Sequence, residues 1–182
     1  MTNQRRWYTE PETFVAVAAL IVSITAVVVG IYEAALQRRH DRAEVWPHVE
    51  IETFTRPAGV SVELENGGLG PAVIKSAEVF VDGKLQKNWV DVAAAIIGHS
   101  PGRYDNTTVA DHALRAGERV TLLGLPSDEA PRHFWEAAKR VRVVICYASI
   151  YGEATVVSGD LGLPTHWTEV KECSPQPSGI EF

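Results

Sequence analysis

The feature that most constrains this chain is an uncharged apolar run from Thr13 to Tyr32, bracketed by Glu12 and Glu33. About 20 residues of helix, at ~1.5 Å per residue, match the ~30 Å hydrocarbon core of a bilayer. The run is longer than the ~7–15-residue apolar part of a signal peptide, and it lacks the polar face of a helix packed on a soluble core. It therefore predicts a single transmembrane helix over this run, after a short N-terminal tail, residues 1–12.

Small side chains recur along one face of this predicted helix. They are spaced four, three and four residues apart: Ala19, Ser23, Ala26 and Gly30. Such a stripe lets two transmembrane helices approach closely, so it predicts a homo-oligomer formed through the helix. The simpler interpretation is that small residues are common in membrane helices.

Good helix formers continue beyond the apolar run and predict a helical stalk, residues 33–46. Its three arginines, Arg38, Arg39 and Arg42, are interpreted as contacts with lipid headgroups. Pro47 ends the stalk, because the residue before a proline disfavours helical geometry.

The chain after position 42 is acidic. Five of the 17 basic residues and four of the 23 acidic residues precede position 43, which leaves a net charge of −7 for the rest. Such a domain lacks the basic footprint of a non-specific nucleic-acid-binding protein, so we expect no nucleic-acid partner. The expected partners are the lipid bilayer for the helix and an unidentified protein or small molecule for the domain.

Beyond the stalk the apolar pattern takes a period of two, which indicates strands. The predicted strands, separated by turn residues, are 49–53, 60–65, 72–81, 84–85, 118–125, 141–151 and 154–158. The segment Val141–Tyr151 is apolar on both faces in its middle and should be a central strand. Two short helices are expected at 90–97 and 127–140. This succession predicts a mainly β domain, 47–173, of the β-sandwich class, and a disordered tail, 174–182.

The segment between the second and third predicted strands carries a resemblance. Residues 64–74 read LENGGLGPAVI, similar to the Leu-x-Asn-x-Gly-x-Gly-Pro-Ala-x-Ile pattern of a group of uncharacterised bacterial single-pass membrane proteins. Residues 147–153, YASIYGE, resemble the end of a late strand in the same group, and the strand–Asn-Gly–strand piece resembles adhesion-type immunoglobulin-like modules. The resemblance implies an immunoglobulin-like β-sandwich in a bacterial inner membrane, and no activity. Since Asn and Gly tolerate positive φ, we interpret the segment as shaping the fold.

Patterns that would support catalysis or metal binding are weak. The six histidines show no helical metal spacing, and the glycine-rich segment is not followed by the Lys-Ser/Thr of a phosphate loop. We expect no metal, no cofactor and no catalytic residue. Cys146 lies in the middle of an apolar predicted strand, so it is interpreted as a buried small apolar residue. Only two cysteines occur, which excludes a disulfide scaffold and leaves open whether Cys146 and Cys173 pair. The best candidate recognition loop is the Pro/Gly-containing segment with His99, Arg103 and Tyr104.

These features favour a membrane-anchored, non-enzymatic interaction or sensing module. The alternative is an oligomerising membrane effector with a ligand- or partner-sensing soluble domain, and a membrane-tethered hydrolase is third. Positive flanks prefer the cytoplasm, and three arginines follow the apolar run whereas two, Arg5 and Arg6, precede it. An unpaired Cys146 would fit a reducing compartment. We therefore expect the soluble domain on the cytoplasmic side.

Overall fold

The computed structural model describes residues 11–130 and 134–182. The chain forms two compact units, which divide between Ala43 and Glu44. The predicted N-terminal tail lies almost entirely outside the described residues.

The described residues of the first unit form one long helix, α1, Pro11–Glu44. Its segment Pro11–Arg42 is long and apolar enough to cross a membrane, and none of its most apolar stretch is buried. The predicted transmembrane segment and most of the predicted stalk are thus parts of a single uninterrupted helix.

The second unit is mainly β and contains two antiparallel sheets. Its strands are, in chain order, β1 Val49–Arg56, β2 Gly59–Asn66, β3 Ala72–Val81, β4 Lys84–Leu85, β5 Asp105–Asn106, β6 Ala113–Leu114, β7 Arg119–Pro126, β8 Val141–Ala148, β9 Ala154–Asp160 and β10 His166–Val170. The first sheet has the order β1-β2-β7-β5, and the second has the order β10-β9-β8-β3-β4, with β6 also paired to β3. The expectation that Val141–Tyr151 supplies a central strand is confirmed, because β8 lies between β9 and β3.

The two sheets share one hydrophobic core. Apolar side chains at alternate positions point into it, as on β2, where Val60, Val62 and Leu64 are buried. Strand β8 contributes Val143 and Ile145, which are fully buried. Since burial of each large aliphatic side chain contributes about 1.5–3 kcal/mol, this shared core is the main source of the domain's stability.

The glycine-rich loop between β2 and β3 is held by the buried side chain of Asn66. Its Oδ1 accepts hydrogen bonds from the N–H groups of His48 at 3.2 Å and Gly68 at 3.1 Å. Its Nδ2 donates to the carbonyls of Gly70 at 2.8 Å and Leu114 at 3.1 Å. A Cβ at Gly68 or Gly70 would come within 2.3 Å of the backbone that leads into β1. All donors and acceptors of the amide are used, so the loop is structural.

Two further helices lie in the second unit. Helix α2, Trp89–Ile97, matches the predicted 90–97, begins at an Asn88 side-chain cap and ends at Gly98 with φ of 85°. Helix α3, Phe134–Ala138, is shorter than the predicted 127–140. The difference arises because residues 127–130 form a turn after β7, while 131–133 lie outside the described residues.

The C-terminal segment 174–182 packs against the domain, so the prediction of a disordered tail is wrong. The side-chain amide of Gln176 pairs with the backbone of Ala77, accepting from its N–H at 2.7 Å and donating to its carbonyl at 3.0 Å. Phe182 is fully buried, and its ring meets that of Trp89 edge-on with the centroids 5.1 Å apart. The polar composition of the segment concealed the contribution of this single aromatic residue to the core.

Cys146 of β8 forms a disulfide with Cys173, with their Cα atoms 5.7 Å apart. The sequence alone left open whether Cys146 and Cys173 are free, and the structure shows that they are paired. Strand β10, which the sequence patterns missed, returns the chain along β9 and brings Cys173 next to β8. The bond fixes the start of the C-terminal segment to the central strand.

Candidate interaction surfaces

The predicted recognition loop lies between α2 and β5 and is fixed to the turn after β7. Arg103 Nη2 lies 3.1 Å from each carboxylate oxygen of Asp128. The N–H of Gly102 donates to Glu129 Oε1 at 3.2 Å. Tyr104 is half-buried and packs against the core. These contacts give the loop a defined shape.

Arg103 and Tyr104 line a groove of about 290 Å³. The first sheet contributes Arg56 and Glu63 to the same groove. His99 is exposed and is not among the residues that line it. The structure thus brings two of the three predicted loop residues together with two charged residues of the sheet.

Glu63 is the centre of a charge cluster on the outer face of the first sheet, although it is only 5% exposed. Its Oε1 accepts hydrogen bonds from Arg56 Nη1 and from Ser61 Oγ, both at 2.6 Å. Arg119 Nη1 lies 3.5 Å from its Oε2. The hydrogen bond from Arg56 is the largest influence on the pKa of Glu63, which is held below its usual range despite the opposing effect of burial. Glu63 therefore stays ionised at neutral pH and is a poor proton acceptor for catalysis.

Arg119 joins further carboxylates to this cluster. It forms a short ion pair with Glu65, the main cause of its raised pKa, and its Nη2 lies 3.4 Å from Glu52 Oε2. This Glu52 oxygen is buried and receives no hydrogen bond of good geometry in the described chain. The ring of Phe54 lies near both guanidinium groups, 4.7 Å from the central carbon of Arg56 and 5.0 Å from that of Arg119. The cluster is thus an array of mutually paired charges.

A second cavity, of about 540 Å³, lies at the opposite end of β1. Trp46 and Tyr151 supply aromatic side chains to its lining, and Glu153, Glu169 and Lys171 supply charged ones. It is bounded by the segment that leads into β1, by the β8–β9 turn and by the end of β10.

An aromatic stack orders one side of this second cavity. The Trp46 ring stacks on His48 with centroids 5.0 Å apart, and His48 stacks on Trp167 at 4.7 Å. Trp167 Nε1 donates to the carbonyl of Val49 at 2.8 Å, and His48 Nε2 lies 3.1 Å from Glu50 Oε1. Trp46 is therefore held in place by its neighbours while 55% of its surface remains exposed.

Ser149 and His112, whose residue types occur in hydrolase active sites, both have structural partners. Ser149 Oγ donates to Glu153 Oε2 at 2.9 Å and accepts from the N–H of Tyr151 at 3.2 Å, so it shapes the β8–β9 turn. His112 Nε2 lies 3.9 Å from Glu118 Oε1. Among the described residues, no group of three or more His, Cys, Asp or Glu is placed to hold a metal ion.

The small-residue stripe of α1 is exposed along its whole length: Ala19, Ser23, Ala26 and Gly30. Ser23 Oγ donates to the carbonyl of Ala19 at 2.8 Å, so its hydroxyl is satisfied within the helix. The arginines assigned to headgroup contact are also exposed, toward the end of α1: Arg38, Arg39 and Arg42.

Sequence reasoning did not find the residues of the charge cluster around Glu63 or the strand that borders the second cavity. Arg56, Glu63 and Arg119 lie on three different strands, and only the pairing register, which places Glu52 opposite Glu63, brings their charges together. Strand β10 carries little apolar alternation because four of its five residues are exposed. The alternation of Ser61, Glu63 and Glu65 along β2 was the available indication of a polar outer face.

The sequence matches no protein-family model, no curated protein and no solved structure. The case for a function therefore depends on the geometry of these surfaces.

Proposed function

We propose that this chain is a membrane-anchored, non-enzymatic interaction or sensing module that binds a partner at the groove beside Arg103 and Tyr104. The observation that carries the proposal is the construction of this groove. Its loop is fixed by the Arg103–Asp128 ion pair, and its opposite side is fixed by the pairing of Arg56 with Glu63. A preformed concave surface with fixed polar groups is typical of a binding site. The apolar helix α1 supplies the membrane anchor in the same chain.

Site-specific photo-cross-linking in intact membranes tests this proposal. A benzophenone amino acid at position 104 should give a discrete product of higher mass on illumination. The same amino acid at position 85 is the matched control, since Leu85 is exposed on β4 and lines neither the groove nor the second cavity. No product from position 104, or equal products from both positions, would contradict the proposal.

The second unit is proposed to be an immunoglobulin-like domain. The first-sheet order β1-β2-β7-β5 corresponds to the A-B-E-D order of that fold, and β9-β8-β3-β4 corresponds to G-F-C-C′. The disulfide departs from the pattern, because Cys146 on the strand equivalent to F pairs with Cys173 rather than with a residue of the strand equivalent to B. Cross-strand nuclear Overhauser effects linking β2 to β7 and β3 to β8 would support this topology, and their absence would refute it.

The domain is proposed to face an oxidising compartment, on the side of the membrane away from the cytoplasm. The disulfide between Cys146 and Cys173 supports this orientation, because disulfides persist outside the reducing cytosol. It weighs against the cytoplasmic orientation expected from the flanking arginines, a preference that depends on a margin of one residue. A C-terminal alkaline phosphatase fusion should be active in a bacterial host. An inactive fusion beside a fluorescent cytoplasmic reporter would restore the cytoplasmic orientation.

An oligomerising membrane effector is the second candidate. It is supported by the small side chains that form one stripe along α1 and are all exposed: Ala19, Ser23, Ala26 and Gly30. Leucine at Ala26 and Gly30 should abolish cross-linked oligomers in membranes, whereas Val27→Leu, away from the stripe, should not. Oligomers that survive both stripe substitutions would remove the support for this candidate.

A further inference from the structure

Strand β10 is an open edge of the second sheet. It pairs with β9 on one side, and no described strand pairs with its other side. In an antiparallel ladder, alternate residues direct their N–H and C=O groups away from the partner strand. Among the described residues, those of β10 form no backbone-to-backbone hydrogen bond beyond the β9 ladder. The edge therefore offers unpaired backbone groups to an added strand.

The cavity of about 540 Å³ adjoins the end of this open edge. Glu169 and Val170 belong both to β10 and to the lining of the cavity, so a strand added to β10 would pass its mouth. The volume is within the ~300–1,000 Å³ range of small-molecule pockets and is large enough for one long side chain.

The lining of the cavity favours a cationic side chain. It contains the exposed carboxylate of Glu169 at the end of β10, the ammonium group of Lys171, and the carboxylate of Glu153, which also accepts a hydrogen bond from Ser149. Trp46 and Tyr151 add aromatic surfaces, which attract cations through their ring quadrupoles. Because the Trp46 ring is already stacked on His48, it needs little reordering when a ligand binds.

From these juxtaposed features we infer that β10 captures an extended peptide segment of a partner protein by strand addition, with a Lys or Arg side chain of that segment inserted in the adjoining cavity. Main-chain pairing supplies the affinity of such a complex, and the side-chain pocket supplies its specificity. The inference rests on the proposed interaction function and adds to it a second site and the chemical class of the partner.

The test uses the full chain in lipid nanodiscs and a phage-displayed library of random linear ten-residue peptides. Selected peptides should carry a Lys or Arg, and synthetic copies should slow hydrogen exchange at the β10 amides, His166–Val170. Glu169→Lys, an exposed substitution, should weaken binding of these synthetic peptides about tenfold, equivalent to about 1.4 kcal/mol. Asp91→Lys is the matched control, because Asp91 is exposed in α2, which follows the strand at the opposite edge of the sheet. This control should bind within about twofold of the unsubstituted chain.

Two results would overturn the inference. One is a selection with no enrichment over empty nanodiscs. The other is a set of bound peptides that leave exchange at β10 unchanged and are unaffected by Glu169→Lys. If either occurs while the benzophenone at position 104 still gives its product, strand addition is refuted and the interaction function stands.

Discussion

The two units of this protein use the same apolar residues in opposite ways. Val15 and Val22 of α1 are 65% and 67% exposed, whereas Val49, Val79 and Val143 of the β domain are fully buried. Since burial of each such side chain is worth about 1.5–3 kcal/mol, the domain is stabilised by its own core. In α1 the described chain leaves these side chains uncovered, and the helix is long and apolar enough to cross a membrane. Hydrophobicity in the sequence thus identifies side chains that must be removed from water. Only the fold shows whether the protein buries them in its own core.

The largest loss of stability is expected when a charged side chain is placed in the core of the β domain. Val143→Asp should unfold the β domain, because an unpaired carboxylate at a fully buried position of β8 costs several kcal/mol. Loss of the near-ultraviolet circular dichroism signal and rapid proteolysis in membranes would report the unfolding.

The same change in α1 provides the control. Val22→Asp should leave the domain folded but weaken membrane insertion by roughly 2.5–3.5 kcal/mol, measured as the fraction released by alkaline carbonate. The comparison fails if Val143→Asp leaves the domain as stable as before or if Val22→Asp unfolds it.

The next effect concerns the C-terminal segment. Phe182→Ala should lower the domain's free energy of unfolding by about 3–5 kcal/mol, because the ring is fully buried against Trp89. Urea unfolding in detergent micelles, followed by tryptophan fluorescence, measures the change. Ser178→Ala is the control, because Ser178 is exposed in the same segment. Equal midpoints for the two variants would show that the segment does not complete the core.

The disulfide lies in the β domain, so its loss should affect the stability of the domain and not α1. Joining residues 27 apart should stabilise the domain by roughly 3.5 kcal/mol through the restricted unfolded chain. Reduction, or Cys146→Ser with Cys173→Ser, should lower the urea midpoint of the domain and leave membrane association of α1 unchanged. An unchanged midpoint after complete reduction, verified by maleimide labelling, would contradict a structural role.

How far the sequence predicts this molecule depends on whether a feature is local. The apolar run of α1 and the alternation of β2 are local patterns, and both were predicted closely. The burial of Phe182 and the disulfide depend on how distant segments meet, which no local pattern encodes. The groove is an intermediate case: composition pointed to Arg103 and Tyr104, but only the strand register brings Glu63 to them.

The smallest expected effect is the response to pH. The apolar run Thr13–Tyr32 has no charged side chain, so membrane association of α1 should not change between about pH 7 and 3. In the domain, the hydrogen bond from Arg56 lowers the pKa of Glu63 in the folded state. A carboxylate with a lowered folded-state pKa stabilises the protein above its unfolded-state value, about 4.3, and this stabilisation is lost as pH falls through the folded-state pKa.

Comparison of Glu63→Gln with the unsubstituted chain isolates this contribution. At pH 7 the substitution should cost about 1 kcal/mol, since Arg56 and Arg119 are partly exposed and solvent screens their charges. The cost should disappear in acid, because both chains are then neutral at this position, so urea midpoints that differ at pH 7 should converge as the pH falls through the folded-state pKa of Glu63. Glu136→Gln, in the exposed part of α3, should show no such convergence. If the Glu63→Gln difference persists unchanged in acid, the side chain stabilises the sheet by packing, and its charge is not what distinguishes the domain from α1.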